Sequence, residues 1–370
     1  MTEHTSPELT GFSAAASARA NRLVLPSSVL TTKRGEGRFD RRSVLRAGAV
    51  GAAALALGVA GRGAIARQSG DLKPVTLAWN ASAICTASAP VAKDEGIFED
   101  HGLAVEFINF GGSTEQLLEA IATGKADAGV GMALRWLKPM EQGFDVNITA
   151  GIHGGCMRLL GATEQGITTL ASLKGKTVAI SDQAGPAKNF FSILLQKEGI
   201  DPFTEVTWKQ YPADVLPLAV EKGEAHALAD GDPRTWLFLR DANGSLIEIA
   251  TNLSGEYAHR TCCIVGIRGS LVRDEPAVAA ALTQSLLEGG QIVSSQPEIG
   301  AEAFSKYGGI GSIADLTEML GSQTHGHQPV GDELLDNIAA YADELKLVGV
   351  FEEDTDSAAF AASVYADVLN

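Results

Sequence analysis

The sequence predicts an α/β protein built from two similar lobes with a ligand cleft between them. Three observations carry this expectation. Residues 75–132 alternate strand and helix signals, the same grammar returns about a hundred residues later, and the composition is that of an ordinary globular chain. In the first half, residues 75–79 form a β-rich run and a helix ends near Gly96. A second strand covers 104–110, a Gly111-Gly112 turn leads to a helix closing at Gly124, and a third strand covers 126–130. In the second half, residues 177–180 read as a strand and Gly185 opens a helix. Glu198-Gly199-Ile200 matches Glu95-Gly96-Ile97, and 206–210 give the next strand. The closest internal match sets AIATGKADAGVGMALRWL on AVEKGEAHALADGDPRTWL, with Ala120 on Ala219, Gly124 on Gly223, Ala126 on Ala225, Ala128 on Ala227 and Arg135 on Arg234. A unit used twice implies two lobes rather than a solenoid.

At 370 residues, 45% hydrophobic and 20% charged, the chain is long enough for a good core in each lobe. Its formal charge of −16 is unevenly spread. Residues 1–66 carry nine Lys and Arg against four Asp and Glu, which leaves 20 basic and 41 acidic residues, or −21, for the remainder. Such a surface repels phosphate backbones and anionic lipid, which argues against nucleic acid or a membrane surface as partner.

The first 66 residues read as a targeting segment. Asp40-Arg41-Arg42-Ser43-Val44-Leu45-Arg46 resembles the twin-arginine signal and runs into the apolar AGAVGAAALALGVAG, followed by the cleavage-type Ala64-Ile65-Ala66. The bland alternative is a Gly/Ala-rich helix behind an incidental arginine pair. The stretch ahead of the arginines is long for a leader, as a start codon placed upstream of the true one would make it. No cysteine follows the apolar run, so nothing supports a lipid anchor. The expected mature chain begins near Arg67 and lies in the periplasm.

Ligands of open parallel sheets sit beyond the carboxyl ends of the strands, and that edge selects the candidate residues. Trp79, Asn80 and Cys85 follow the first strand, and Gly112, Ser113 and Thr114 the second. Met132 follows the third, and His153 and Cys156 follow a further strand at 147–150. Trp79 is as well suited to the core as to a cleft wall. Ser113 or Thr114 either caps its helix or presents a hydroxyl and free N–H groups to an anion. In the second lobe Gly185, Pro186 and Ala187 open a helix whose amides are approachable, with Lys188 beside them as a solvated lysine or an anion partner. Asp230 and Asp232 either pair with a ligand cation or cap the helix after Pro233.

These stretches also carry a family resemblance. APVAKDEGIFEDHGLAVEF, Gly112-Ser113-Thr114, LLEAIATGKADAGVG and LKGKTVAI are similar to the nitrate, sulfonate, taurine and thiamine-precursor binding proteins of ABC importers, over a stretch from about Pro74 to the last helices. The resemblance implies a type II periplasmic-binding-protein fold, with two lobes joined by two crossover strands. It implies a non-enzymatic monomer that captures a small anionic or polar solute at the hinge and delivers it to a membrane permease. On this reading residues 74–162 with 262–370 form the first lobe and 163–261 the second. Residues 261–267 return the chain to the first lobe, and helices at 277–287, 297–306 and 334–345 pack back on it.

No G-x-S-x-G elbow, H-E-x-x-H, Walker or G-x-G-x-x-G motif stands in a suitable context, and no cofactor is expected. The rival readings are an enzyme of the same fold acting on a thiamine-precursor-like metabolite and a sensory binding protein. The four cysteines add a third. Cys85, Cys156, Cys262 and Cys263 are expected as disulfides or inert buried thiols, with a thiolate-lined ligand or metal site near His153, and His259 beside it, as the alternative. Adjacent Cys262 and Cys263 should point to opposite faces of a strand, so that at most one joins Cys85 and Cys156. His325-Gly326-His327 reads as a solvated loop.

Overall fold

The computed structural model describes residues 72–110 and 114–370. The targeting segment, Gly112 and Ser113 lie outside the described residues. Among the described residues there are ten strands: β1 (Lys73–Trp79), β2 (Leu103–Asn109), β3 (Ala128–Met132), β4 (Val146–His153), β5 (Met157–Ala162), β6 (Lys176–Ile180), β7 (Val206–Gln210), β8 (Ala227–Gly231), β9 (Leu246–Thr251) and β10 (Cys263–Arg268). They form two five-stranded sheets, ordered β2-β1-β3-β10-β4 and β7-β6-β8-β5-β9. In each sheet the fourth strand runs antiparallel to both neighbours. That strand is the one arriving from the other lobe: β5 directly after β4, and β10 directly after β9.

The internal repeat holds down to single hydrogen bonds. Asp127 N–H donates to the Thr76 carbonyl at 2.8 Å and His226 N–H to the Thr177 carbonyl at 2.8 Å, so β3 and β8 enter their sheets in the same way. Gly96, Gly199, Gly124 and Gly223 all take φ between 72° and 76°, the left-handed region that ends a helix at low cost only for a residue without Cβ.

The sheet membership of β5 moves the expected lobe boundary. Residues 157–162 belong to the second sheet, so the first crossover is Gly154-Gly155-Cys156 rather than a segment ending at 162. All six residues of MRLLGA are buried, and no polar break marks where one sheet ends and the other begins. The two crossovers touch. A Cβ on Gly155 would lie 2.3 Å from the Asn252 carbonyl oxygen, so only glycine fits there. Asn252 Oδ1 accepts from Met157 N–H at 2.8 Å, and Cys262 N–H donates to the His153 carbonyl at 2.9 Å.

Helices Pro276–Ser295 and Pro297–Lys306 follow β10 and pack on helix Ser88–Asp94 of the first lobe, while Gly331–Leu347 packs on both Ala133–Glu141 of the first lobe and Pro186–Lys197 of the second. Among the described residues no helix is long and apolar enough to cross a membrane.

Candidate functional site

A cavity of about 280 Å³ lies between the carboxyl edges of the two sheets. From the first lobe it is lined by Asn80, Ser82, Cys85, Thr86 and Met132, and from the second by Ser181, Asp182, Gly185, Pro186, Ala187, Asp230 and Arg234. The loop after β1 is held by Asn80, whose Oδ1 accepts from the Ser82 N–H at 3.0 Å and the Ser82 hydroxyl at 2.7 Å. Thr86 donates back to the Asn80 carbonyl at 3.0 Å. Across the cavity, the helix Pro186–Lys197 begins at Gly185 with no side chain capping it, so its first amides keep their hydrogen-bonding capacity and the positive end of its dipole faces the wall.

Of the three acidic groups on the wall, Asp182, Asp230 and Asp232, the last two differ in how far they are committed. Asp230 accepts from the Gly231 N–H at 2.8 Å. Withdrawal from water pushes its carboxyl above the ordinary range, against the pull of Gly231, Ser181 and Arg234. Asp232 reaches the cavity wall, but its carboxylate is fully committed. It accepts from Arg158 Nε at 3.0 and 3.1 Å, the Thr235 hydroxyl at 2.8 Å, the Trp236 N–H at 3.1 Å and Gln323 Nε2 at 2.9 Å. Of its two expected roles it fills the capping one. Arg234 pairs with the exposed Asp214 at 2.9 Å.

Asn80, Cys85, Met132, Gly185, Pro186, Ala187 and Asp230 thus come together at one cavity. Trp79, Lys188, His153 and Cys156 do not line it. Trp79 turns its ring toward the helical layer, with Phe107 at 5.1 Å and Tyr307 at 5.6 Å between ring centres, because the strand end chooses a face and not a neighbour. Lys188 sits on an adjacent groove with Arg135, Gln183 and Asn189 and donates to Gln183 Oε1 at 3.1 Å. Burial lowers its pKa, against the Coulomb pull of Asp182. His153 is completely buried behind the wall and stacks on His325, with ring centres 4.8 Å apart. His325 is also fully buried, so the solvated-loop reading does not hold for it; burial, with His153 beside it, pushes its imidazole pKa well below the ordinary value. Thr114 opens the helix Thr114–Ala122. Asp182, Thr86 and Arg234 were not singled out from sequence, although Asp182 and Arg234 flank strand ends and Arg234 is the repeat partner of Arg135.

The four cysteines are free and buried. Cys156 Sγ lies 3.8 Å from Cys262 Sγ, and no disulfide joins any of the four, so the expected Cys85–Cys156 bridge is not formed. Cys262 lies just ahead of β10, where strand alternation does not apply, and both it and Cys263 approach Cys156. The neighbouring sulfurs of Cys262, Cys263 and Cys85, together with burial, push the Cys156 thiol up, while hydrogen bonds from Cys156 and Cys263 pull Cys85 down.

Two α/β lobes of this sheet order, joined by two adjacent crossovers with a cavity between them, define the periplasmic-binding-protein class of fold. The alkanesulfonate-binding protein SsuA of Xanthomonas axonopodis pv. citri, solved with MOPS bound, matches with a TM-score of 0.65 at 18% identity, over 79% of this chain and 99% of its own. The nitrate-binding protein NrtA of Synechocystis PCC 6803 matches at 0.66 and 15%, over 81% and 87%. The Candida albicans CA3427 gene product, described as having the generic periplasmic binding protein structural fold, matches at 0.62 and 14%, over 80% and 97%. By sequence, residues 86–298, more than half of the chain, match the family model described as NMT1/THI5 like, and the chain belongs to that family. No curated protein matches it by sequence.

Proposed function

We propose that this protein is the extracytoplasmic solute-binding component of an ABC importer. It closes two lobes on a small polar solute and presents the closed form to a membrane permease, without catalysis. The observation that supports this reading is the cavity itself, whose polar groups come from strand ends of both lobes. A solute that contacts both walls stabilises the closed arrangement by the contacts it makes only there. SsuA and NrtA are described as binding anions, a sulfonate and nitrate. Here Asp182 and Asp230 repel a bare anion, while Arg234 and the start of helix Pro186–Lys197 attract an acceptor. The wall therefore fits a polar solute with a hydrogen-bond donor at one end and an acceptor at the other.

A thermal-shift panel of amino-sulfonates, pyrimidines, nitrate and simple sulfonates tests this, because a ligand bound only to the native state raises its apparent stability. Donor-bearing compounds are expected to shift the transition and nitrate is not; a panel that responds only to bare anions would overturn the assignment. Asp230→Asn is expected to weaken the responding compound by roughly tenfold to a hundredfold, the worth of a charged hydrogen bond. The same variant carries a stability signature. A carboxyl whose folded pKa is raised contributes stability below its unfolded value and loses it as pH rises through the folded value, so ionised Asp230 costs stability at neutral pH. Asp230→Asn without ligand should melt higher than wild type at neutral pH and equally in acid, and the reverse order would show that Asp230 is not desolvated.

Residues 1–66 are taken, on this proposal, as the export signal. Changing Arg41 and Arg42 to Lys should leave precursor in the cytoplasm, and normal secretion of that variant removes the twin-arginine assignment.

A further inference from the structure

Behind the cavity wall, Cys85, His153 and Cys263 are buried together, and one donor atom from each lies within 4.8 Å of the other two. Both ring nitrogens of His153 are without a hydrogen-bond partner, although the side chain is fully enclosed. A neutral imidazole has one donor and one acceptor, and buried polar atoms of this kind are normally satisfied. An imidazole lone pair facing two sulfurs is a ligand set. Cys156, which approaches both Cys85 and Cys263, adds a third sulfur at its edge.

We infer that this cluster is a binding site for a thiophilic d10 cation, Zn2+ or Cu+, held by Cys85 Sγ, Cys263 Sγ and a ring nitrogen of His153. Thiolate and imidazole donors select soft or borderline ions over Mg2+, Ca2+ and Mn2+. A cation central to donors at these separations needs only a small contraction to reach metal–ligand bonds of about 2.3 Å for sulfur and about 2.0 Å for nitrogen. The site has a specific place in the fold. Cys85 follows β1, His153 ends β4 at the first crossover, and Cys263 begins β10 after the second. His153 and Cys263 are cross-strand partners, and Cys85 also lines the solute cavity. The cation therefore fastens the points at which both crossovers leave the first sheet, directly under the cavity floor. No solute enters this argument, so it stands apart from the transport assignment.

The test uses the full protein, purified under reducing, anaerobic conditions and stripped with a chelator. Titration with Co2+, a spectroscopic stand-in for Zn2+, is expected to give sulfur-to-metal charge-transfer absorption saturating at one ion per chain. Zn2+ should abolish it by displacement, and a parallel titration with Cu+ tells which ion binds more tightly. Cys85→Ser, Cys263→Ser and His153→Gln should each weaken binding by more than about tenfold, at least the loss seen when a group supporting a ligand is removed. Cys262→Ser should retain it. Because a core variant can fail to fold, X-ray absorption of the loaded wild-type protein supplies an independent reading, expected to show sulfur and imidazole nitrogen around the ion. An oxygen-only shell, absence of charge-transfer absorption with fully reduced thiols, or unchanged affinity in folded His153→Gln would overturn the inference. All measurements are made without solute, so a failed titration leaves the solute-binding reading intact, and a silent solute panel leaves the metal site intact.

Discussion

Replacing Asp232 with alanine is expected to destabilise the protein by about 3–5 kcal/mol, the cost of leaving a buried charge without its partner. Arg158, on β5, is 6% exposed, and Asp232 supplies both oxygens to its Nε. Glu248 is the second carboxylate on that guanidinium, which also lies 5.1 Å from the Trp236 ring centre. Alanine at 232 removes the first partner, uncaps the helix Arg234–Asp241 at Thr235 and Trp236, and frees the Gln323 amide that joins the second lobe to the first. The urea midpoint reads the loss. If Asp232 is spent on structure, the folded fraction of Asp232→Asn should bind solute as wild type does, whereas Asp230→Asn should bind it roughly tenfold to a hundredfold more weakly. A midpoint close to wild type would mean that Glu248 alone satisfies Arg158.

The second large effect is expected at Glu344, on the face where helix Gly331–Leu347 of the first lobe meets helix Pro186–Lys197 of the second. Its Oε1 lies 2.6 Å from Lys197 Nζ, 2.7 Å from Arg260 Nη1 and 2.9 Å from the Tyr257 hydroxyl, and its side chain is 7% exposed. Glu344→Gln should cost about 2 kcal/mol, near the worth of a charged hydrogen bond and below the cost of a deep broken pair, because Lys197 keeps Glu256 and some water. The network also sets the alkaline limit. Burial, with Glu344 adding to it, raises Tyr257 from 10.0 to about 12. Burial opposes a raised value for Lys197, but its hydrogen bonds to Glu256, Glu344 and Tyr257 outweigh it. Both groups have folded pKa values above their unfolded ones, so their stabilisation is complete below pH 10.0 and is lost as pH rises toward about 12. Melting temperature followed across that window should fall more steeply in wild type than in Glu344→Gln. Parallel curves would place the alkaline transition elsewhere.

The features legible in the sequence are those repeated or local. Two glycines per lobe in the left-handed region, the shared entry of β3 and β8, and the strand ends that face the cavity all follow from short stretches read twice. What escaped reading depends on partners far along the chain. Arg158 and Asp232 are 74 residues apart, and nothing near either one announces the other. His325 reaches His153 from a tail helix connection, so a loop rich in polar residues turned out to be enclosed. Trp79 shows a limit of another kind: alternation along a strand gives two faces without saying which is covered by helices. The lobe boundary was missed because β5 is buried throughout and continues the apolar run of β4 with only Gly154-Gly155-Cys156 between.

The exchange of strands between the sheets also orders events during synthesis. The second lobe needs only residues 157–251 to complete its hydrogen-bonded ladder, a continuous length of chain. The first lobe stays open in the middle: until β10 is made, β4 has no neighbour and one edge of β3 is bare. Its closure waits for a pairing across more than a hundred residues, the slow, non-local kind of contact, and for helices made later still. The nascent protein thus carries a finished half and an unfinished half for much of translation, and the apolar edges of β3 and β4 are the surfaces that a chaperone, or a wrong partner, meets first.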